Sequence, residues 1–369
     1  MKTIPRFDNF PPYTPIEPFE VLSQRLGIPI EKIVKLDANE NPYGPSPRAL
    51  RALAELPFPH IYPDPESRAL RAALAQYSGA PVENLLAGAG ADELIDLLAR
   101  ALLEPGDAVL NFPPTFGMYS FDTRLNGGVV VEIPRLPGGA LDLPAIAAAV
   151  RQHSPKMAFV TSPNNPDGRL MTDDEFEALI SLPLVLVLDE AYIEFADEGE
   201  GLGQRISRIQ QAAQRENLVV LRTFSKWAGL AGLRVGYGAF PAWMMDTLWK
   251  IKQPYNVNVA ANVAALASLE DTPYLAGNVQ RLRNERERLF ALLQEVPFLK
   301  PRPSCSNFIL CDVTGWRARD LKDALAKQGV LVRHYDTPLL KDCIRISVGK
   351  PHETDAALAA LHACAKVKE

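Results

Sequence analysis

The sequence predicts an α/β protein: a large domain built on a mostly parallel seven-stranded sheet between helices, followed by a smaller α+β domain. Three observations lead there. Seven short apolar runs between positions 85 and 239 alternate with segments whose apolar residues recur at helical intervals, the pattern of a parallel sheet covered on both faces. After about residue 260 this pattern gives way to a long charged helix and a few isolated strands. The length of 369 residues exceeds what one core usually supports. The expected division is 1–35 as an N-terminal arm and part of the small domain, 36–260 as the large domain, and 261–369 as the small one.

Composition excludes several function classes. With 47% hydrophobic and 22% charged residues the chain reads as an ordinary soluble globular protein, and a net charge of -5 gives no reason to expect nucleic acid or a membrane surface as partner. The four cysteines, Cys305, Cys311, Cys343 and Cys364, show no CxxC pairing and no nearby histidine cluster, which argues against a zinc site and a disulfide framework and suits a reduced cytoplasm. No metal is expected. Charges and prolines interrupt the N-terminus where a secretory leader needs an apolar run, and no run reaches transmembrane length.

Residues 1 to about 30 are proline-rich and aromatic, which predicts an extended arm with a short helix near Phe19 to Leu26. Strands are predicted at Leu85 to Ala87, Ala108 to Phe112, Val129 to Ile133, Met157 to Thr161, Leu184 to Leu188, Leu218 to Leu221 and Val235 to Ala239. Helices fall between them, as at Asp92 to Leu103 and Thr172 to Ile180. The acidic stretch Asp197 to Gly201 reads as a solvated loop, and the alternating charges from Arg281 to Arg288 read as the solvated face of a helix over Asn278 to Gln294. Small-domain strands are expected near Asn307 to Cys311, Val330 to Arg333 and Cys343 to Val348, with helices near Ala318 to Lys327 and Thr354 to Lys366.

Chemistry concentrates at Thr223-Phe-Ser-Lys-Trp-Ala-Gly-Leu-Ala-Gly-Leu-Arg234. Ser225 and Arg234 offer an anion two kinds of donor beside the amine of Lys226, among small residues that let a ligand approach the backbone. Gly88-Ala-Gly-Ala-Asp-Glu93 follows the first of the seven strands and opens a helix, so the free N–H groups near Ala91, Asp92 and Glu93 face an anion; a plain strand-to-helix turn reads the same way. Phe116 supplies a ring that either stacks on a planar ligand or packs in the core. Asp189 closes the apolar run Leu184 to Leu188, and a carboxylate at the end of a buried strand calls for a cationic partner. Arg345, in the apolar strand Ile344-Arg-Ile-Ser-Val348, calls for an anion, which a ligand or a structural carboxylate supplies equally well. Arg333 is a second anion-binding candidate.

These segments together resemble the pyridoxal-phosphate (PLP) aminotransferases of the aspartate-aminotransferase superfamily, fold type I. The narrower likeness is to the branch that includes histidinol-phosphate aminotransferase. Asp37-Ala-Asn39-Glu-Asn-Pro-Tyr-Gly-Pro45, Tyr62-Pro-Asp-Pro65 and Phe112-Pro-Pro-Thr-Phe-Gly-Met-Tyr119 carry that part. The resemblance implies that Lys226 holds the cofactor as a Schiff base and acts as base, and that Asp189 keeps the pyridine nitrogen protonated. It implies that Tyr192 and Asn165 bind the ring oxygen and that Thr223, Ser225, Arg234 and the helix start at Ala91 to Glu93 hold the phosphate, joined by Tyr62 from the other subunit of a homodimer. Arg345 would grip the substrate's acidic group, with Arg333, Asn39 and Tyr13 nearby. The implied reaction passes the amino group of histidinol phosphate to 2-oxoglutarate, giving glutamate, in histidine biosynthesis.

The chain departs from the family pattern at Phe116, where tyrosine is common, and at Asp167, where the "N-P-T-G" turn has threonine. Rival readings are an aromatic or broad-specificity aminotransferase and a PLP-dependent decarboxylase of a phosphorylated amino acid. A PLP-binding DNA regulator lacks room for a helix-turn-helix ahead of residue 35, and a dehydrogenase lacks its third glycine after Gly90.

Overall fold

Two sheets organise the chain in a computed structural model, which describes residues 4, 7, 8, 10, 17–199 and 201–366. The strands in chain order are β1 (Val34–Leu36), β2 (Leu85–Gly88), β3 (Ala108–Asn111), β4 (Val129–Glu132), β5 (Met157–Thr161), β6 (Val185–Asp189), β7 (Leu218–Thr223), β8 (Gly236–Ala239), β9 (Leu299–Pro301), β10 (Phe308–Val313), β11 (Val330–His334) and β12 (Cys343–Ser347). Seven of them form one sheet in the order β2-β8-β7-β6-β5-β3-β4, and five form a second in the order β1-β11-β12-β10-β9. The seven-stranded sheet is parallel except for β8, which runs antiparallel to both β2 and β7.

Burial explains the sequence pattern. Every residue of β5 and β7 is buried, because helices cover both faces, and so these strands read as unbroken apolar runs. One layer includes the helix Ala91–Leu102, whose Leu94, Ile95, Leu97 and Leu98 pack with Val109, Val187 and Val219. The opposite face joins Leu74, Leu110, Val160, Leu188 and Val220 into a core that continues to the second sheet through Ile309, Ile344 and Ile346.

Register fixes which residues share the carboxyl edge. Thr161 pairs with Asp189, Asp189 with Leu221, and Thr223 with Gly236. The helix Ala91–Leu102 starts at this edge from Gly90 (φ 84°) with no side-chain cap. The helices Pro47–Ala54, Leu143–His153, Asp173–Ile180 and Val259–Leu269, by contrast, are capped by Ser46, Asp142, Thr172 and Asn258. An uncapped start leaves N–H groups free to meet something other than the chain's own side chains.

The structure corrects three readings. Asp197 is buried rather than solvated: its Oδ1 accepts from the Gly199 N–H at 3.0 Å and the Arg205 Nε at 2.9 Å, so a guanidinium eight residues on supplies the counter-charge. The charged helix spans Thr272–Gln294, starting earlier than expected, and Glu285 within it is buried against Arg288. Its Arg286 turns inward and donates to the carbonyls of Phe195 and Ser306, so that stretch is only partly a solvated face. Strands β1 and β9 went unpredicted, since each has three residues and neither alternates nor forms an apolar run.

Gly236 shows how closely the edge is packed. A Cβ there would stand 2.6 Å from the Ala91 nitrogen and 3.0 Å from the Arg222 carbonyl. Gly236→Ala is therefore expected to destabilise the fold by about 1–3 kcal/mol through overpacking, read as a lowered urea midpoint; an unchanged midpoint would show that this edge has slack.

Candidate active site

The carboxyl edge of the seven-stranded sheet opens into one cavity lined by Ala91, Asp92, Phe116, Thr161, Asn165, Asp189, Ala191, Tyr192, Thr223, Ser225, Lys226, Ala231 and Arg234. Segments far apart in sequence meet there because parallel strands bring their following loops to the same edge. Most of the site residues named from sequence share this one space.

Asp189, the last residue of β6, is buried. Its Oδ2 accepts from the Tyr119 hydroxyl at 2.6 Å and its Oδ1 from the Ala191 N–H at 2.9 Å. Neither partner carries a charge. Burial pushes this carboxyl up to about 6, against the two hydrogen bonds, which pull it down. Tyr119 is itself buried, bonded to the Thr161 hydroxyl at 2.7 Å and stacked on Phe159; burial and the neighbouring Asp189 hold its phenol well above the ordinary range, so it remains a donor.

Lys226 lies on the turn after β7. Its Nζ is 3.5 Å from the Ala38 carbonyl and 5.9 Å from the centre of the Tyr192 ring. Burial brings its ammonium down to about 8, helped by the positive charge of Arg345. In that range a minority of the amine is neutral near physiological pH, far more than for an ordinary lysine, and that fraction is able to act as nucleophile or base. Tyr192 is buried edge-on to Phe308, and its hydroxyl accepts from Asn39 Nδ2 at 3.1 Å. Asn39 is fixed in turn by Ser347, which receives its backbone N–H and donates to its Oδ1.

Groups able to meet an anion lie in the cavity wall at Thr223, Ser225 and Arg234 and behind Asn165 at Arg345. The Thr223 hydroxyl donates to Ser225 Oγ at 2.9 Å, and Arg234 reaches the helix start, pairing with Asp92 at 2.6 Å. A Cβ on Gly90 would meet the Arg234 Nη2 at 2.6 Å, so the glycine makes room for that guanidinium. Arg345 is buried on β12 with neutral partners: Asn165 Oδ1 at 2.7 Å and the Asp37 carbonyl at 2.8 Å. Its Nε is buried with no partner among the described residues. The alternative of a structural carboxylate at Arg345 is not what the described residues provide.

Other named residues lie elsewhere. The Glu93 carboxylate turns from the cavity to the Ala89 N–H and to Asn256. Arg333 stands across from Arg345 on β11, over the Tyr335 ring, in a second cavity with Asp37 and Glu17. Tyr62 is 79% exposed and stacks on Tyr255, outside the cavity of its own chain. Tyr13 lies outside the described residues. Asp167 is buried and accepts from Asn164 Nδ2 and the Arg169 N–H, so it closes its own turn as a hydroxyl would. Nothing local in the sequence marks Thr161, Tyr119, Ala191 or Ala231 as site residues, and Tyr119 reaches the site through Asp189.

Among the described residues no three His, Cys, Asp or Glu side chains gather as a metal site would need, and no helix is long and apolar enough to cross a membrane.

Comparison with known proteins gives a consistent picture. The family described as aminotransferase class I and II matches residues 31–361. A chloroplastic histidinol-phosphate aminotransferase of Nicotiana tabacum is 55% identical over 358 residues, covering 97% of this chain and 85% of its own. A histidinol-phosphate aminotransferase of Roseiflexus castenholzii is 52% identical, covering 95% of this chain and 94% of its own. The crystal structure of histidinol-phosphate aminotransferase from Sinorhizobium meliloti in complex with pyridoxal-5'-phosphate superposes with a TM-score of 0.88 at 29% identity, covering 100% of this chain and 99% of that one.

The raised carboxyl of Asp189 has a thermodynamic sign. A folded value near 6 against 3.8 unfolded means that its stabilising contribution is complete below about pH 4 and lost as pH rises through 6. Asp189→Asn should therefore stabilise the unliganded chain near neutral pH by about 3 kcal/mol, and by little at about pH 4. Urea unfolding at the two pH values checks this; equal stability of variant and wild type at neutral pH would contradict it.

Proposed function

The chain belongs to the class I and II aminotransferases, and from that footing we infer that it transfers the amino group of L-histidinol phosphate to a keto acid, using pyridoxal 5'-phosphate. It is a histidinol-phosphate transaminase, a step of histidine biosynthesis. The observation that carries this reading is the pairing, across one cavity, of a buried amine at Lys226, whose pKa burial lowers to about 8, with a buried carboxylate at Asp189 whose partners are neutral.

These residues fit the cofactor. Asp189 lacks a cation and a pyridinium supplies one. Phe116 offers a ring face, Tyr192 and Asn165 offer polar groups for the ring oxygen, and Ser225, Thr223, Arg234 and the uncapped start of the helix at Ala91 offer donors for a phosphate. When bound, the cofactor supplies an electron sink for the pair released as a substrate C–H bond breaks. Lys226 Nζ would hold the cofactor, and its amine, with a pKa lowered to about 8, would serve as the base that moves the substrate Cα proton. Asp189 would stay ionised beside a cation and would hold a proton on the ring nitrogen, with its carboxylate oriented by the Tyr119 hydroxyl.

Arg345 binds the substrate's phosphate, its unpartnered Nε supporting that assignment, with Arg333 as second guanidinium. The acceptor is 2-oxoglutarate, whose carboxylate suits the same guanidinium geometry. Asn39 and Tyr13 complete the substrate side. A homodimer follows from Tyr62: with Phe58, Ile61 and Tyr255 it forms an exposed apolar group, which a second copy covers while the Tyr62 hydroxyl reaches that copy's phosphate site. The domains divide near 36 and 260, with 1–35 as an N-terminal arm and part of the small domain and 261–369 as the rest of it, and four unpaired cysteines fit a reducing cytoplasm.

A substrate panel tests this reading. Histidinol phosphate with 2-oxoglutarate should yield glutamate, with kcat/KM at least about 100-fold above that for phenylalanine, tyrosine or leucine, because they lack the phosphate that gives Arg345 its charge-assisted bonds. Comparable rates across the panel would contradict the substrate assignment. Lys226→Ala should lose turnover and visible cofactor absorbance together.

A further inference from the structure

Behind the catalytic edge, on the other face of β7, lies a buried ion pair that the chemistry above does not use. Arg222 is 0% exposed and Glu194 1%, and their Nη2 and Oε1 stand 2.6 Å apart. The same Nη2 donates to the Leu202 carbonyl at 3.0 Å, and the guanidinium carbon lies 5.4 Å from the centre of the Tyr77 ring. The pair is poorly satisfied: Arg222 Nε and Nη1, Glu194 Oε2 and the nearby Tyr237 hydroxyl are buried without partners. Such a pair is a poor source of stability, because desolvating both charges offsets their attraction and well-packed apolar replacements are often neutral or stabilising.

Its placement suggests what it does. Glu194 follows Tyr192 by two residues on the turn that begins at Asp189, and Arg222 immediately precedes Thr223 on the strand leading to Lys226. Successive residues of a strand face opposite ways, so Arg222 points from the cavity that Thr223 lines. The ring of Tyr77 stacks at 5.5 Å on Trp227, the residue after Lys226, and Asn41 holds the Trp227 carbonyl at 2.9 Å. The pair thus ties the turn bearing Asp189 and Tyr192 to the segment bearing Lys226.

We propose that Arg222 and Glu194 are positioning residues, whose ion pair fixes the Asp189–Tyr192 turn against Lys226 at one separation and contributes no net stability. The catalytic part rests on the transaminase reading; the positioning of the Lys226 amine does not. Three full-length variants test it: Arg222→Met, the double Arg222→Met/Glu194→Leu, and Glu194→Gln, which keeps an oxygen able to accept from Arg222.

The readouts are melting temperature, the pH dependence of Lys226 labelling by an amine-reactive probe without cofactor, and kcat and KM of the loaded enzyme. The single Met variant should melt lowest, with Glu194 left unpaired. The double should melt at or above wild type, yet shift the Lys226 labelling midpoint by about half a unit or more and lower kcat by at least about 10-fold with KM nearly unchanged. Glu194→Gln should restore midpoint and kcat towards wild type. A double variant with wild-type melting, midpoint and kcat would overturn the proposal, as would one that melts as low as the single variant or fails to fold. A Glu194→Gln midpoint displaced as far as the double's would overturn it as well. Labelling needs no cofactor, so a failure of the transaminase reading appears separately, as absent turnover in the wild type.

Discussion

A carboxylate buried at the end of a strand with only a phenol and a backbone N–H for company is the interaction around which this molecule is arranged. Asp189 would be cheaper protonated or in water, and burial shifts it in that direction. The sheet keeps it where it is: β6 lies between β5 and β7, and the register sets Asp189 beside Thr161 and Leu221. Tyr119, locked by Phe159 and Thr161, aims its hydroxyl at the acid. A cationic group placed there would meet an acceptor already oriented, with little reorganisation left to make.

Other local costs gather at the same place. Asn39 and Arg234 adopt left-handed backbone at φ 55° and 56°, which side chains with a Cβ seldom do. Each of the two makes a contact to a residue lining the cavity, while the other described non-glycine residues with such backbone do not line it: Asn39 joins Tyr192 to Ser347 of the second sheet, and Arg234 reaches back to Asp92. Arg345 is likewise buried with neutral partners only, and one of them, Asn165, lines the cavity that Asp189 closes. Burial of Lys226 near that guanidinium lowers its pKa, which makes the amine usable.

Much of this was legible in the sequence because parallel strands write themselves plainly. All seven strands of the larger sheet appear as apolar runs, and residues at or after the ends of five of them, β2, β3, β5, β6 and β7, line the cavity. What escaped notice depends on partners far away in sequence. Tyr119 matters through Asp189, 70 residues on, and nothing local marks that contact. Asp197 looked solvated because its neighbours are glycine and glutamate, whereas Arg205 makes burial tolerable. Strand β1 carries Lys35 among three residues and exists because β11 offers it an edge. Tertiary pairing overrides weak local preference in such short strands.

The most direct measurement is the nitrogen chemical shift of 15N-labelled pyridoxal phosphate bound to the protein, followed across pH. The account requires a ring nitrogen that stays protonated well above the pH at which the free cofactor loses that proton, and an Asp189→Asn variant in which it does not. A ring nitrogen unprotonated at neutral pH in the wild-type protein, or protonated equally in both proteins, would contradict the role of the buried carboxylate as the group that holds that proton.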